Sequence, residues 1–197
     1  MSWSVPNTYA GRTIVILGGG PGIPDKSIID RLPQPIMVLK HAVSLRSDAD
    51  IFFWAGRQWH EQFAPLIASF RGKYSIRRGQ APELNPICTQ VSRMKYADPY
   101  FSLDPRLVGG YCVGGSAINI AAHFGAKRIL LLGYNMAGGH WFPNHPTPVP
   151  SSNAHARHRA GIESMVPALR ELGIEVINCT PKSALTCFPK GRIEDYV

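Results

Sequence analysis

The residues Gly138 to Pro150, GGHWFPNHPTPVP, put two histidines, a tryptophan and four prolines into one irregular stretch between a strand-like run and a helix-like run. Connections of this kind usually need about two to six residues, and longer ones are commonly functional. The chemistry on offer is acid–base work on a stiffened apolar platform. A neutral imidazole takes a proton from a hydroxyl near neutral pH. Trp141 and Phe142 can stack on a sugar or a base, and Pro143, Pro146, Pro148 and Pro150 restrict the loop and so pre-form a site. His145 is the preferred general base, because Pro146 favours an extended backbone for it; His140 is the second choice.

Glycine-rich turns supply a second kind of chemistry. GGGPG, Gly18 to Gly22, directly follows an apolar run, where absent side chains let a ligand approach backbone N–H groups and a following helix offers its positive end to phosphate. The dinucleotide fingerprint is not met, since Ile23 stands where its third glycine belongs, and no Gly-Lys-Ser/Thr phosphate loop exists. GGYCVGGSA, Gly109 to Ala117, again sets glycine pairs before a helix, with Ser116 as an N-cap candidate. Two such entries in one sheet can together hold a phosphodiester or nucleotide. Lys40 and His41 follow a second apolar run, and Gly56, Arg57, Trp59 and His60 follow a third. Arg57 has the fork geometry for phosphate, whereas Trp59 reads as core packing.

Other classes find less support. His140, His145, His155 and His158 are enough imidazoles for a transition metal, but the first two are five apart in a proline loop with no carboxylate nearby, so no metal is expected. His155 and His158 read as a polar helix face beside Arg157 and Arg159. No Gly-x-Ser-x-Gly elbow occurs, Glu61, Glu83 and Asp104 are scattered, and Cys112, before a helix entry where a thiol pKa is lowered, has no assignable histidine partner.

The elements that must position these residues alternate. RTIVILG (12–18), PIMVLK (35–40), DIFFWAG (50–56), KRILLLG (127–133) and GIEVINCT (173–180) read as strands, the first as one buried on both faces; KYSIRR and PICTQVS are weaker extended pieces. DKSIIDRL and HAVSLRSDA are crossover-length segments. RQWHEQFAPLIASF is an amphipathic helix disturbed by Pro65. GGSAINIAAHFGA is a helix stopping at Gly125, and AHARHRAGIESMVPALRELG is a further helix. This alternation predicts an α/β fold: a single Rossmann-like domain over 1–197, with a mostly parallel sheet and helices on both faces. In such sheets ligands bind beyond the carboxyl ends of the strands, where strand order reverses.

Composition fits. The chain has 197 residues, 45% of them hydrophobic, and four scattered cysteines without a Cys-x-x-Cys pair. With no long apolar run, these features predict a soluble cytoplasmic protein with reduced thiols and no membrane span. A net charge of +8 favours anionic partners, from nucleotides to nucleic acid, and Arg71 to Arg78 with Tyr74 forms the densest basic cluster, a candidate to line a phosphate-rich surface. An oligomer is left open.

The order of ILGGGPG, VGGSAINIAAHFGAKRILLLGYNM, GGHWFPNHP and GIEVINCTPKSALTCFP resembles a group of phage-encoded Rossmann-like proteins of uncharacterised role, over nearly the whole chain. More distantly it resembles bacterial single-domain sialyltransferases and the archaeal 6-hydroxymethylpterin diphosphokinase relatives. The sialyltransferase resemblance implies a CMP-linked or other nucleotide-sugar donor as co-substrate, without a tightly bound cofactor, held by Gly18, Gly19, Gly20, Pro21, His41, Gly56, Gly114, Gly115 and Ser116. It also implies Tyr134 and Asn135 facing the nucleotide and a histidine base in the following loop; Arg57 and Trp141 are expected at the substrate from their own chemistry. The chain departs from that family's Gly-Asn-Gly-Pro-Ser turn at Gly19 and Gly22, and His41 and Gly56 replace expected asparagines. A host-cytoplasmic glycosyltransferase-like enzyme acting on a glycan or nucleic acid is the leading expectation. The alternatives are a diphosphokinase-like transferase and a non-catalytic binder of nucleotide or nucleic acid.

Overall fold

The computed structural model describes residues 3–33, 35–78, 88–93, 101–143 and 151–196, with the side chains of residues 57, 60 and 88–93 outside that description. Eight strands form one sheet: β1 (Thr13–Leu17), β2 (Ile36–Leu39), β3 (Ile51–Ala55), β4 (Tyr74–Arg78), β5 (Cys88–Arg93), β6 (Leu107–Val108), β7 (Arg128–Leu132) and β8 (Glu175–Asn178). Their order is β6-β5-β4-β3-β2-β1-β7-β8, and every pairing is parallel. The chain steps outward from β1 to β6 and then returns to place β7 on the other side of β1, so strand order reverses between β1 and β7.

The continuous apolar runs are explained by burial on both faces. Alternate residues Ile14, Ile16, Met37, Leu39, Ile51 and Phe53 face one core, covered by helices α3 (Val113–His123), α4 (Ser152–Glu163) and α5 (Val166–Glu171). Their neighbours Val15, Leu17, Ile36, Val38, Phe52 and Trp54 face the other, covered by α1 (Lys26–Ile29), a 3₁₀ turn at Lys40–Ser44 and α2 (Arg57–Ala68). The α/β architecture with helices on both faces is as expected.

Local expectations needed correction in three places. The two early crossovers shrink to one helical turn and a 3₁₀ turn. As expected from Pro65, α2 is kinked: Phe63 leaves helical geometry at φ −121°, ψ 28°, in the turn before Pro65, whose missing N–H and ring interrupt the hydrogen-bond ladder there. The long helix expected after the histidine loop is two helices, because Pro167 stands at the start of a new one. β6 is too short, at two residues, to register as a pattern. No helix among the described residues is long and apolar enough to cross a membrane.

Candidate functional site

At the reversal of strand order the exits of β1, β2 and β7 and the entry of α3 surround a cleft of about 280 Å³. Gly18, Gly19 and Gly20 line it, with Lys40, Cys112, Gly114, Tyr134, Asn135, His140 and Phe142, and α4 adds His155 and His158. The two glycine turns and one histidine of the proline-rich loop therefore meet in one space.

The first turn is built by close approach to the β7 exit. Gly18 N–H donates to the Leu132 carbonyl at 2.7 Å, Gly20 N–H to the Gly133 carbonyl at 2.8 Å, and Gly22 N–H to Asn135 Oδ1 at 2.8 Å. A Cβ on Gly20 would sit 2.5 Å from Asn135 Oδ1 and 2.6 Å from the Gly133 oxygen. These glycines are thus required first by backbone packing. Among the described residues the Gly19 amide is the one N–H of Gly18, Gly19, Gly20 and Gly22 with no acceptor, and the Gly19 carbonyl receives Trp141 N–H at 3.2 Å.

The second entry is capped by sulfur. Cys112 is the N-cap of α3 and its Sγ accepts from Gly115 N–H at 3.4 Å, so Ser116 is not the cap. Ser116 lies fully buried one turn in, accepting from Arg78 Nη1 at 2.7 Å. Burial raises the Cys112 thiol above its usual pKa, opposite to the depression expected at a helix start. Tyr134, also buried, donates its hydroxyl to the Gly114 carbonyl at 3.2 Å and ties the β7 exit to α3; a Cβ on Gly114 would come within 2.9 Å of the Tyr134 ring.

His140 Nδ1 lies 3.2 Å from the Gly19 carbonyl oxygen. A carbonyl only accepts, so Nδ1 carries the proton and Nε2 is the basic nitrogen of the neutral ring. Burial, with Lys40 and His155 nearby, outweighs the Gly19 hydrogen bond and lowers the pKa of His140. The ring stacks on Phe142 at 5.0 Å, and Phe142 stacks on His41 at 3.7 Å. This orders the loop from beneath. The strand exit carries strain as well: Lys40 and Met136, both lining the cleft, have φ of 49° and 51°.

Several expected residues stand elsewhere. His41 is buried behind Phe142, its Nδ1 accepting from Trp59 Nε1 at 3.2 Å. Pro21 lines a neighbouring groove that shares Asn135 with the cleft. Gly56 caps α2 with φ 100° and does not line the cleft, nor do Gly115 and Trp141. Asn135 lines it, but its amide spans Gly22 N–H and the Pro181 carbonyl, the latter at 3.4 Å. His145 and the Arg57 side chain lie outside the described residues. The basic run of β4 does not present one surface: Arg77 is buried against Trp54, 5.4 Å from its ring, while Arg78 also donates to the Gly110 carbonyl at 2.8 Å.

His155 and His158 were missed as site residues. His155 Nε2 donates to the Gly138 carbonyl at 3.2 Å, which brings the start of α4 over the loop, and Arg159 donates to the Met136 carbonyl at 2.9 Å. Their i, i+3 spacing directly after the histidine loop was the available signal. Among the described residues no group of three His, Cys, Asp or Glu side chains is placed to hold one metal ion.

No family model and no curated protein matches the chain. Solved structures do. The sialyltransferase CST-II in complex with a trisaccharide acceptor and CMP superposes with a TM-score of 0.56 at 16% identity, covering 91% of this chain and 85% of that one. Monofunctional alpha-2,3-sialyltransferase Cst-I from Campylobacter jejuni gives 0.56 at 18% identity, covering 93% and 81%. CstII from Campylobacter jejuni with the substrate analogue CMP-3FNeuAc gives 0.55 at 14% identity, covering 91% and 85%. The chain shares the α/β fold of these proteins over most of its length.

Proposed function

We propose that the chain is a nucleotide-sugar-dependent transferase whose switch-point cleft takes the donor nucleotide and whose His140 is the general base. The observation that carries this reading is the convergence of Gly18–Gly20, the α3 entry and His140 on one cleft. The fold it shares with CMP-binding sialyltransferases supports a CMP-linked sugar as the donor class and a glycan hydroxyl as the acceptor.

In the reaction, His140 Nε2 removes the acceptor hydroxyl proton as that oxygen bonds to the anomeric carbon of the sugar. The bond from this carbon to the phosphate oxygen breaks, and the nucleoside monophosphate leaves with the electron pair. Developing charge on the phosphate is steadied by the first-turn amides of α3 at Val113 and Gly114 and by the Gly19 amide. Donation of Nδ1–H to the Gly19 carbonyl keeps the base in the required tautomer and couples its position to the donor turn. His145 is the competing base, and Arg57 and Trp141 are candidate substrate contacts.

A thermal-shift screen with CMP, UDP, GDP, ATP and NAD tests the reading. A selective rise with CMP that survives a chelator supports it. A response to another nucleotide alone, or binding of CMP with no sugar transfer to any acceptor, contradicts the corresponding part.

A further inference from the structure

Lys40 directly follows β2 and lines the cleft beside Leu39 and His140. Its φ of 49° is a conformation that a long side chain rarely takes and that costs energy to hold. Among the described residues its half-buried ammonium has no hydrogen bond and no carboxylate within ion-pair distance; it lies over the face of Trp59, with Nζ 5.9 Å from the ring centre. No Asp or Glu among the described residues lines the cleft. A desolvated cation with no counter-ion among the described residues, on strained backbone, destabilises the ligand-free protein, and an anionic ligand relieves it.

We infer that Lys40 is the cationic anchor for a phosphate group in this cleft, acting with the first-turn amides of α3. The identity of the phosphate, a nucleoside monophosphate, rests on the function proposed above; the anion site itself does not. Among the described residues the titratable and charged groups around Lys40 are Arg78 from β4, His140 from the loop, Cys112 at the α3 entry, Tyr134 at the β7 exit, and His155 and His158 from α4. None of them carries a negative charge at neutral pH. Burial, and after it the charge of Arg78, lowers the amine to about 8, so Lys40 is mostly protonated at pH 7 and loses its proton as pH rises through that value. A bound phosphate stabilises the charged form, so binding near pH 9 takes up a proton.

The test compares wild type with Lys40→Met, which removes the cation and keeps its bulk, and Lys40→Gly, which also releases the backbone strain. The readouts are calorimetric titration with CMP, cytidine, inorganic phosphate and pyrophosphate, and the melting temperature of the free protein. Both variants are expected to weaken CMP by about ten- to a hundredfold, the range for hydrogen bonds to charged groups, and to leave cytidine unchanged. Lys40→Gly is expected to melt no lower than wild type. In wild type the CMP affinity falls above pH 8, and in Lys40→Met this dependence is gone. If wild type ignores CMP while phosphate or pyrophosphate binds in a Lys40-dependent way, the proposed donor is wrong and the anchor stands. Unchanged CMP affinity in both variants, equal weakening of CMP and cytidine, or no wild-type response to CMP, phosphate and pyrophosphate overturns the anchor.

Discussion

The imidazole of His140 and the carbonyl of Gly19, 121 positions apart in the chain, meet at 3.2 Å. Through this contact the proline-rich loop is held on the glycine turn that follows β1, so the proposed base and the proposed donor turn move together.

His140→Ala should reduce sugar transfer by about 10²- to 10⁴-fold, the usual worth of a general base, while CMP affinity stays close to wild type. His145→Ala, measured alongside, should retain most turnover. The pH profile adds an independent check. The base works when neutral, so the rate rises with pH through the His140 pKa; because burial lowers that pKa, the acid limb should lie below 6.5. An acid limb above 6.5, or turnover retained in His140→Ala, counts against the assignment.

Gly20→Ala and Gly19→Ala should fail differently. The new Cβ at Gly20 meets the Gly133 carbonyl at 2.6 Å, and overpacking of this kind costs about 1–3 kcal/mol, read as a lower midpoint in chemical denaturation. At Gly19 the nearest atoms are His140 Nδ1 and Phe142 Cε1 at 3.4 Å, so stability should hold while CMP binding weakens.

Asn135→Asp keeps an acceptor for Gly22 N–H and loses the donation to the Pro181 carbonyl. It also sets a carboxylate on the cleft. CMP binding should weaken, most strongly at low salt, with cytidine much less affected; equal binding of CMP by both proteins would show that no phosphate approaches this wall.

Cys112→Ser exchanges a weak sulfur cap for a preferred N-cap residue at α3. Stability should rise by about 0.5–1 kcal/mol, and activity should persist, since the thiol is held protonated by burial. Loss of activity in this variant with the fold intact would point to covalent chemistry at sulfur.

Strands β1, β2, β3 and β7 were legible because each holds an uninterrupted apolar run bounded by glycine or charge, and because burial on both faces of a parallel sheet demands that composition. The site was legible in outline for a related reason: glycine turns at strand ends mark where a parallel sheet binds ligands. What stayed hidden depends on distant contacts. Nothing local shows that the amides of Gly18, Gly20 and Gly22 are spent on the β7 exit, or that Arg78 reaches Ser116 across 38 positions. His155 and His158 read as a polar face because their helix, taken alone, gives no sign that it folds back over the loop. Lys40 was read at the end of the second strand, but its backbone conformation, and its lack of a counter-ion among the described residues, exist only in the folded chain.

A crystal structure of the protein soaked with CMP would show where the donor nucleotide sits. The phosphate should lie between the first turn of α3, near Gly114, and Gly19, with His140 on the side open to an acceptor. CMP bound in the groove beyond Pro21, or a phosphate turned away from both glycine turns, would contradict it.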